Sequence, residues 1–309
     1  MKKRFKFLTI LSGVFLLTGC YVDLGFIKFG TPDEEEGGSV TPGTSGEYYK
    51  SYDLTLTGGR LLNELQKMSW EKHTNWITYG QIASYYEKKD DHDSVDEISD
   101  GSSKYQLFYT GKEKTTYTSS VENREHVWPC ANSSTLWTHD KPQSGSFNPH
   151  YVDSSSYVGG GSDLYHVRPC DGAVNTARGN ARFVDFDDPE FTSKKNDVIE
   201  YGQSGGKYNV LLYGADPTSS GGYEFADYCE PDDAFKGDIA RLVLYVYMHY
   251  TERGITPDGG VKKGSNTYKY SDMTGSLSLS GIMGYNDEDR CKEVLKSWNK
   301  IDPDRKSVV

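Results

Sequence analysis

Long apolar runs are missing from this sequence. The segment LTILSGVFLL (8–17) is too short to span a bilayer comfortably, and no later stretch does better. Paired CxxC spacings are also missing, which argues against a structural zinc site. Positive charge is scarce: 34 Lys and Arg face 45 Asp and Glu, a formal net charge of −11. Such a balance excludes broad electrostatic capture of a polyanion, so any binding of one must rely on a local cationic strip, a metal, or both. There is no GxSxG, no carboxylate pair whose spacing suggests a glycosidase, and no internal repeat.

What is present begins with a cationic start, MKKRFKF, the short apolar segment and then LTGC. This reads as an export signal over residues 1–19. LTGC resembles the lipobox of bacterial lipoproteins, which implies cleavage before Cys20 and lipid on its sulfur. One lipidated end would hold the protein at the outer face of the cell membrane without a spanning helix, the alternative being release outside the cell. Residues 20–46, ending TPDEEEGGSVTPGTSG, read as a flexible linker between that anchor and a folded body over 47–309. Aromatics are plentiful, with 24 Tyr, so a core can form. If Cys20 carries lipid, Cys130, Cys170, Cys229 and Cys291 remain, an even set that permits three pairings in an oxidising compartment.

Periodicity predicts several elements. GGRLLNELQKMSW places Leu61, Leu65 and Met68 at helical spacing, and a second helix is expected through YGQIASYYEKK. KKDDHDSVDEISDGSS reads as solvated loop, Asp91-His92-Asp93 included. YQLFYTG looks like a strand. DDAFKGDIARLVLYVYMHY is the best helix, capped by Asp232 or Asp233, with Phe235, Ile239, Leu242, Val243 and Val246 as a core stripe. DEDRCKEVLKSW aligns Cys291, Val294 and Trp298. Residues 131–162, rich in Ser and Gly, read as a long excursion between two strands.

The chemistry gathers in NREHVWP (123–129) and SDLYHVRPCDGAVNTARGNARF (162–183). Breaking a phosphodiester needs a base for water and a cation to offset charge on the phosphate. His126 titrates in a range suited to the first task. Glu125 and Asn175 offer the hard oxygens that Mg²⁺ accepts. If AVNTARGNAR is helical, Asn175, Arg178 and Arg182 fall on one face, with two guanidinium groups suited to phosphate. Neighbours on a regular strand point to opposite faces, so Glu125 and His126 would share a site only if the strand ends or bulges there; Pro129 supports an ending nearby.

These two motifs, together with GGRLLNEL, EPDDAFKGDIARLVLYVYMHY and LKSWNKIDP, resemble the bacterial endonuclease I family, a branch of the His-Me finger (ββα-metal) nucleases. The resemblance runs from about Tyr48 to Pro303. It implies an α+β fold with a ββα-metal finger core embedded in a mainly helical domain. It implies a largely sequence-non-specific endonuclease, monomeric, acting on DNA or RNA, with no protein partner. His126 would be the general base, and a single Mg²⁺, replaceable in binding by Mn²⁺ or Ca²⁺, would be held by Glu125 and Asn175. Arg178 matches the family's arginine, either gripping phosphate with Arg182 or supporting the loop. Asn180 would brace the finger; Asp163, His166 and Arg168 are read as structural or behind the ligands. Cys130 and Cys170, each after a proline, are expected to pair, leaving Cys229 with Cys291.

Two departures stand out. The family's His-His after DL is Tyr165-His166 here, and after WNKIDP the chain stops at DRKSVV where the family continues to a GNRNPF ending. The rival expectation is therefore a catalytically impaired nucleic-acid-binding or scaffold lipoprotein on the same fold.

Overall fold

The computed structural model describes residues 51–87 (except 54), 104–132, 158–215, 225–253, 260–263, 266–269 and 273–301, plus the short pair Val22–Asp23 (β1) and Lys28–Phe29 (β2). The export signal, Cys20, the loop carrying Asp91-His92-Asp93 and the residues after 301 lie outside the described residues, as does the side chain of Cys130. In chain order the body runs α1 (Gly58–Lys72), a 3-10 helix Tyr79–Tyr85, β3 (Tyr105–Gln106), β4 (Glu113–Lys114), β5 (Glu122–His126), β6 (Val167–Asp171) and α2 (Gly172–Arg178). It continues with β7 (Arg182–Phe183), a 3-10 turn Thr192–Asp197, β8 (Val198–Tyr201), β9 (Val210–Tyr213), β10 (Tyr228–Glu230), α3 (Asp233–Tyr250), the hairpin β11 (Gly260–Lys263) and β12 (Asn266–Lys269), α4 (Leu279–Ile282) and α5 (Glu288–Ile301). The expected α+β class is what the chain adopts.

Helix α3 is the central post. Asp232 caps it, its carboxylate accepting the Ala234 N–H at 2.9 Å, which satisfies one of the orphan donors of the first turn. The stripe from Phe235 to Val246 is buried as expected, and most of the helix's other residues are buried too. Two helices account for this: α1 packs on α3 with Leu61, Leu65 and Met68 inward, and α5 packs on it with Cys291, Val294 and Trp298 inward. No helix among the described residues is long and apolar enough to cross a membrane.

The larger sheet has the order β7-β10-β9-β8, parallel between β7 and β10 and antiparallel elsewhere. Alternation sends Phe183, Cys229 and Leu212 into the core and leaves Arg182, Tyr228 and Tyr213 half-buried on the outer face. A separate pair, β5 with β6, is antiparallel from Glu122↔Asp171 to His126↔Val167 and is followed at once by α2, which packs on both strands.

Three local expectations change. The segment YGQIASYYEKK forms a 3-10 helix over Tyr79–Tyr85, and YQLFYTG is strand only at Tyr105–Gln106 before it turns. The helix carrying Asn175 stops at Arg178, because Gly179 adopts φ +54°, a conformation that costs glycine little. Arg182 therefore lies on a strand, and the expected single helical face of Asn175, Arg178 and Arg182 does not exist.

Candidate active site

Strand β5 keeps a regular pairing through His126, with Glu125 opposite Arg168 and His126 opposite Val167. Along the paired strand successive side chains alternate, Arg124 and His126 to one side of the hairpin and Glu125 to the other. The strand ends at His126, which is the condition under which Glu125 and His126 can border one site.

On the α2 side, Glu125 is 2% exposed. Its Oε1 accepts the Tyr109 hydroxyl at 2.7 Å and Arg178 Nη1 at 2.6 Å. Burial raises the carboxyl's pKa above the usual range, while Arg178 and Tyr109 pull against that shift. Arg178, fully buried, also donates to the carbonyls of His126 (3.2 Å), Val127 (3.0 Å) and Ala181 (3.3 Å). Its guanidinium braces the end of β5 against the loop after α2, and no part of it is offered to a phosphate at the surface. This corrects the phosphate-gripping alternative in favour of support. Asn175 lies one turn before Arg178 on the same helix, half-buried.

On the other side, His126 Nε2 donates to the Gly161 carbonyl at 3.0 Å. His166 Nε2 does the same to Gly160 at 2.8 Å, and the two imidazoles lie 5.9 Å apart between centroids. Burial drives the His126 pKa down to about 4; the Gly161 bond opposes this, and Arg124 and Arg178 add to it. The ring is therefore neutral at neutral pH, and the Gly161 contact assigns its proton to Nε2, leaving the lone pair on Nδ1. Tyr79 stacks on His126 at 5.9 Å and 10°, and the Arg124 guanidinium lies 4.5 Å from the Tyr79 centroid.

The remaining expected residues play supporting parts. Asp163 is buried; its Oδ2 accepts the hydroxyls of Tyr245 and Tyr250, both at 2.7 Å, tying the end of the Gly-rich turn to α3. Arg168 is buried with its guanidinium 5.9 Å from the Tyr165 ring. The exposed Asn180 accepts Asn132 Nδ2 on its main-chain carbonyl at 3.1 Å, which anchors the chain just beyond β5. Arg182 lies over the Tyr228 ring at 5.4 Å. The expected disulfides do not form: Cys170, Cys229 and Cys291 are buried free thiols, with Cys170 and Cys291 directed at the Phe108 and Tyr285 carbonyls.

Sequence reasoning missed Tyr109, Tyr79 and the Gly160 and Gly161 carbonyls. The run GGGS (159–162) was a usable signal for a tight turn; nothing in the sequence marks Tyr109, whose φ of +66° is unusual for a bulky residue.

The donor set suits a hard divalent cation: Glu125 offers a carboxylate whose protein contacts both fall on Oε1, and Asn175 offers an amide oxygen. Among the described residues no group of three or more His, Cys, Asp or Glu gathers to hold a metal. A carboxylate and an amide oxygen are the hard donors that Mg²⁺ accepts while keeping several waters.

The sequence profile of the endonuclease I family matches residues 57–306. An extracellular ribonuclease of Bacillus amyloliquefaciens is 28% identical over 268 residues, covering 85% of this chain and 69% of the relative. An extracellular ribonuclease of Bacillus subtilis is 30% identical over 181 residues, covering 59% of this chain and only 42% of the relative. No solved structure matches.

Proposed function

This chain belongs to the endonuclease I family, and from that premise we propose that it is an exported, Mg²⁺-dependent endonuclease. It would hydrolyse phosphodiester bonds of DNA or RNA with little sequence preference, as a monomer, lipid-anchored through Cys20 at the outer face of the cell. The β5–β6–α2 unit is read as its ββα finger. The relatives named as extracellular ribonucleases support export and a nucleic-acid substrate.

The observation that carries this reading is the contact of His126 Nε2, at the end of β5, with the Gly161 carbonyl, which assigns the ring proton to Nε2. In that tautomer Nδ1 would take a proton from water as the water oxygen bonds to phosphorus and the P–O bond to the leaving oxygen breaks, that oxygen departing with the electron pair. The Gly161 carbonyl would steady the resulting imidazolium. Glu125 and Asn175 would hold the Mg²⁺, which supplies charge to offset that on the phosphate and leaving oxygen. Arg178 and Tyr109 fix the Glu125 carboxylate in advance, so little reorganisation is left for the binding step.

Alanine at His126 tests the assignment. Cleavage should fall by about 10²–10⁴-fold with the fold and most substrate binding kept. A variant turning over at the parent rate would remove His126 from the mechanism.

A further inference from the structure

The outer face of the larger sheet carries a second feature. Pairing registers place Arg182, Tyr228 and Tyr213 in one row across β7, β10 and β9, roughly 10 Å wide over two strand spacings. Arg182 lies over the Tyr228 ring at 5.4 Å, and Lys194, from the 3-10 turn Thr192–Asp197, lies 5.4 Å from the Tyr213 centroid and 5.9 Å from that of Tyr228. Neither cation forms an ion pair among the described residues. Lys195, the next residue after Lys194, does, with Asp187. Two cations resting on the ring of one tyrosine make a local positive spot on a chain of net charge −11, suited to a partner of opposite sign.

The row continues from the candidate active site. Strand β7 follows α2 after three residues, and the Ala226 N–H bonds the Ala177 carbonyl at 3.1 Å, drawing the chain before β10 against the C-terminal end of that helix. At this junction Phe225 is 58% exposed, the most exposed large apolar side chain among the described residues. It lies so close to Gly179 that a Cβ there would sit 2.9 Å from its ring. An exposed ring three residues before Tyr228, the tyrosine that carries both cations, offers a stacking surface for an unpaired base while the cations hold the backbone phosphates. A duplex, whose bases are already stacked, has no use for the ring.

We propose that Phe225, Arg182 and Lys194, with Tyr228 and Tyr213 as supports, form a platform for single-stranded polynucleotide leading to the Asn175 helix. This rests on the nuclease reading above and adds its substrate form. The shared chemistry is a phosphate-linked chain with unpaired bases, so RNA and DNA single strands are separate arms of the test.

The experiment measures fluorescence anisotropy of labelled oligonucleotides (single-stranded RNA, single-stranded DNA and the DNA duplex) with the full chain carrying His126→Ala, in EDTA, across a salt series. Adding Arg182→Ala and Lys194→Ala together should weaken both single strands and lower the slope of log affinity against log salt by about 1.4, two contacts at about 0.7 each. The pair Arg182→Lys and Lys194→Arg should restore that slope. Phe225→Ala should weaken single strands roughly tenfold and leave the duplex unchanged. Thermal melts of each variant separate lost contacts from lost fold. An unchanged slope in the correctly folded double variant overturns the platform, and equal losses from Phe225→Ala on duplex and single strand overturn its single-strand character. Failure of the nuclease reading shows itself separately, as a parent chain that leaves all three oligonucleotides intact in Mg²⁺.

Discussion

Without the Arg178 guanidinium, the Glu125 carboxylate would stay buried with the Tyr109 hydroxyl as its remaining partner, and the carbonyls of His126, Val127 and Ala181 would each lose a donor. Breaking a buried pair from one side typically costs about 3–5 kcal/mol. Arg178→Ala should therefore appear first in denaturant unfolding as a loss of that order. A residue that gripped phosphate at the surface would instead raise KM at unchanged stability, and that pattern would contradict the bracing role. Tyr109→Phe is the milder test on the same carboxylate. It removes one hydrogen bond and keeps the packing and the positive φ, so its cost should be about 1–2 kcal/mol. The Mg²⁺ concentration for half-maximal activity should rise with it, because Glu125 is then less firmly aimed; an unmoved titration curve would show that Glu125 is not a ligand.

Among the elements, the docking of α1 on α3 carries a built-in acid sensitivity. His73 Nδ1 lies 3.4 Å from His249 Nε2, His249 Nδ1 lies 2.6 Å from Ser69 Oγ, and Trp70 and Trp76 stack around them. Burial lowers the His73 pKa to about 4, with Asp163 opposing, and holds His249 well below its usual value, with His73 adding to the shift. Unfolded histidines titrate near 6.5, so between pH 6.5 and 4 the unfolded chain binds the extra protons. The stability these neutral rings contribute is complete above about pH 6.5 and lost as pH falls through that window, at about 1.4 kcal/mol per pH unit for each histidine. His73→Phe keeps the stack on Trp76 and should reduce that slope by about one proton; chemical unfolding at pH 7.5, 6 and 5 reads it, and an unchanged slope would contradict the account. The helices of this core were legible in the sequence because their apolar residues recur at 3.6-residue spacing and Asp232 marks a start. The Tyr79–Tyr85 turn and the early end of α2 were not. The first has the composition of an α-helix, and the second depends on Gly179 taking φ +54° in a stretch whose side chains all tolerate helix. At the site, His126, Glu125 and Asn175 were candidates through the family resemblance of their motifs, whereas the inward turn of Arg178 and the hydroxyl of Tyr109 depend on burial that only the packed fold creates. The disulfide expectation failed for a related reason: proline spacing says nothing about where a thiol points, and here Cys170 and Cys291 face carbonyls.

At the scale of the whole molecule, an acidic chain must bind a polyanion through limited ground. Several of the cations are already paired with carboxylates, as at Lys104 and Lys207 with Glu113 or Arg241 with Asp238. Affinity without metal should therefore be modest and salt-dependent, falling steeply between 50 and 200 mM salt only to the extent of the few phosphate contacts made. The central claim is that one neutral histidine at the end of β5 activates water beside a Mg²⁺ held by Glu125 and Asn175. The most direct measurement is a cleavage time course on RNA, single-stranded DNA and duplex DNA for the parent chain and His126→Ala, each in Mg²⁺ and in EDTA. The account predicts cleavage by the parent in Mg²⁺, none in EDTA, and a loss of about 10²–10⁴-fold in the variant with its melting midpoint unchanged. Equal cleavage by parent and variant, or full parent activity in EDTA, would contradict it.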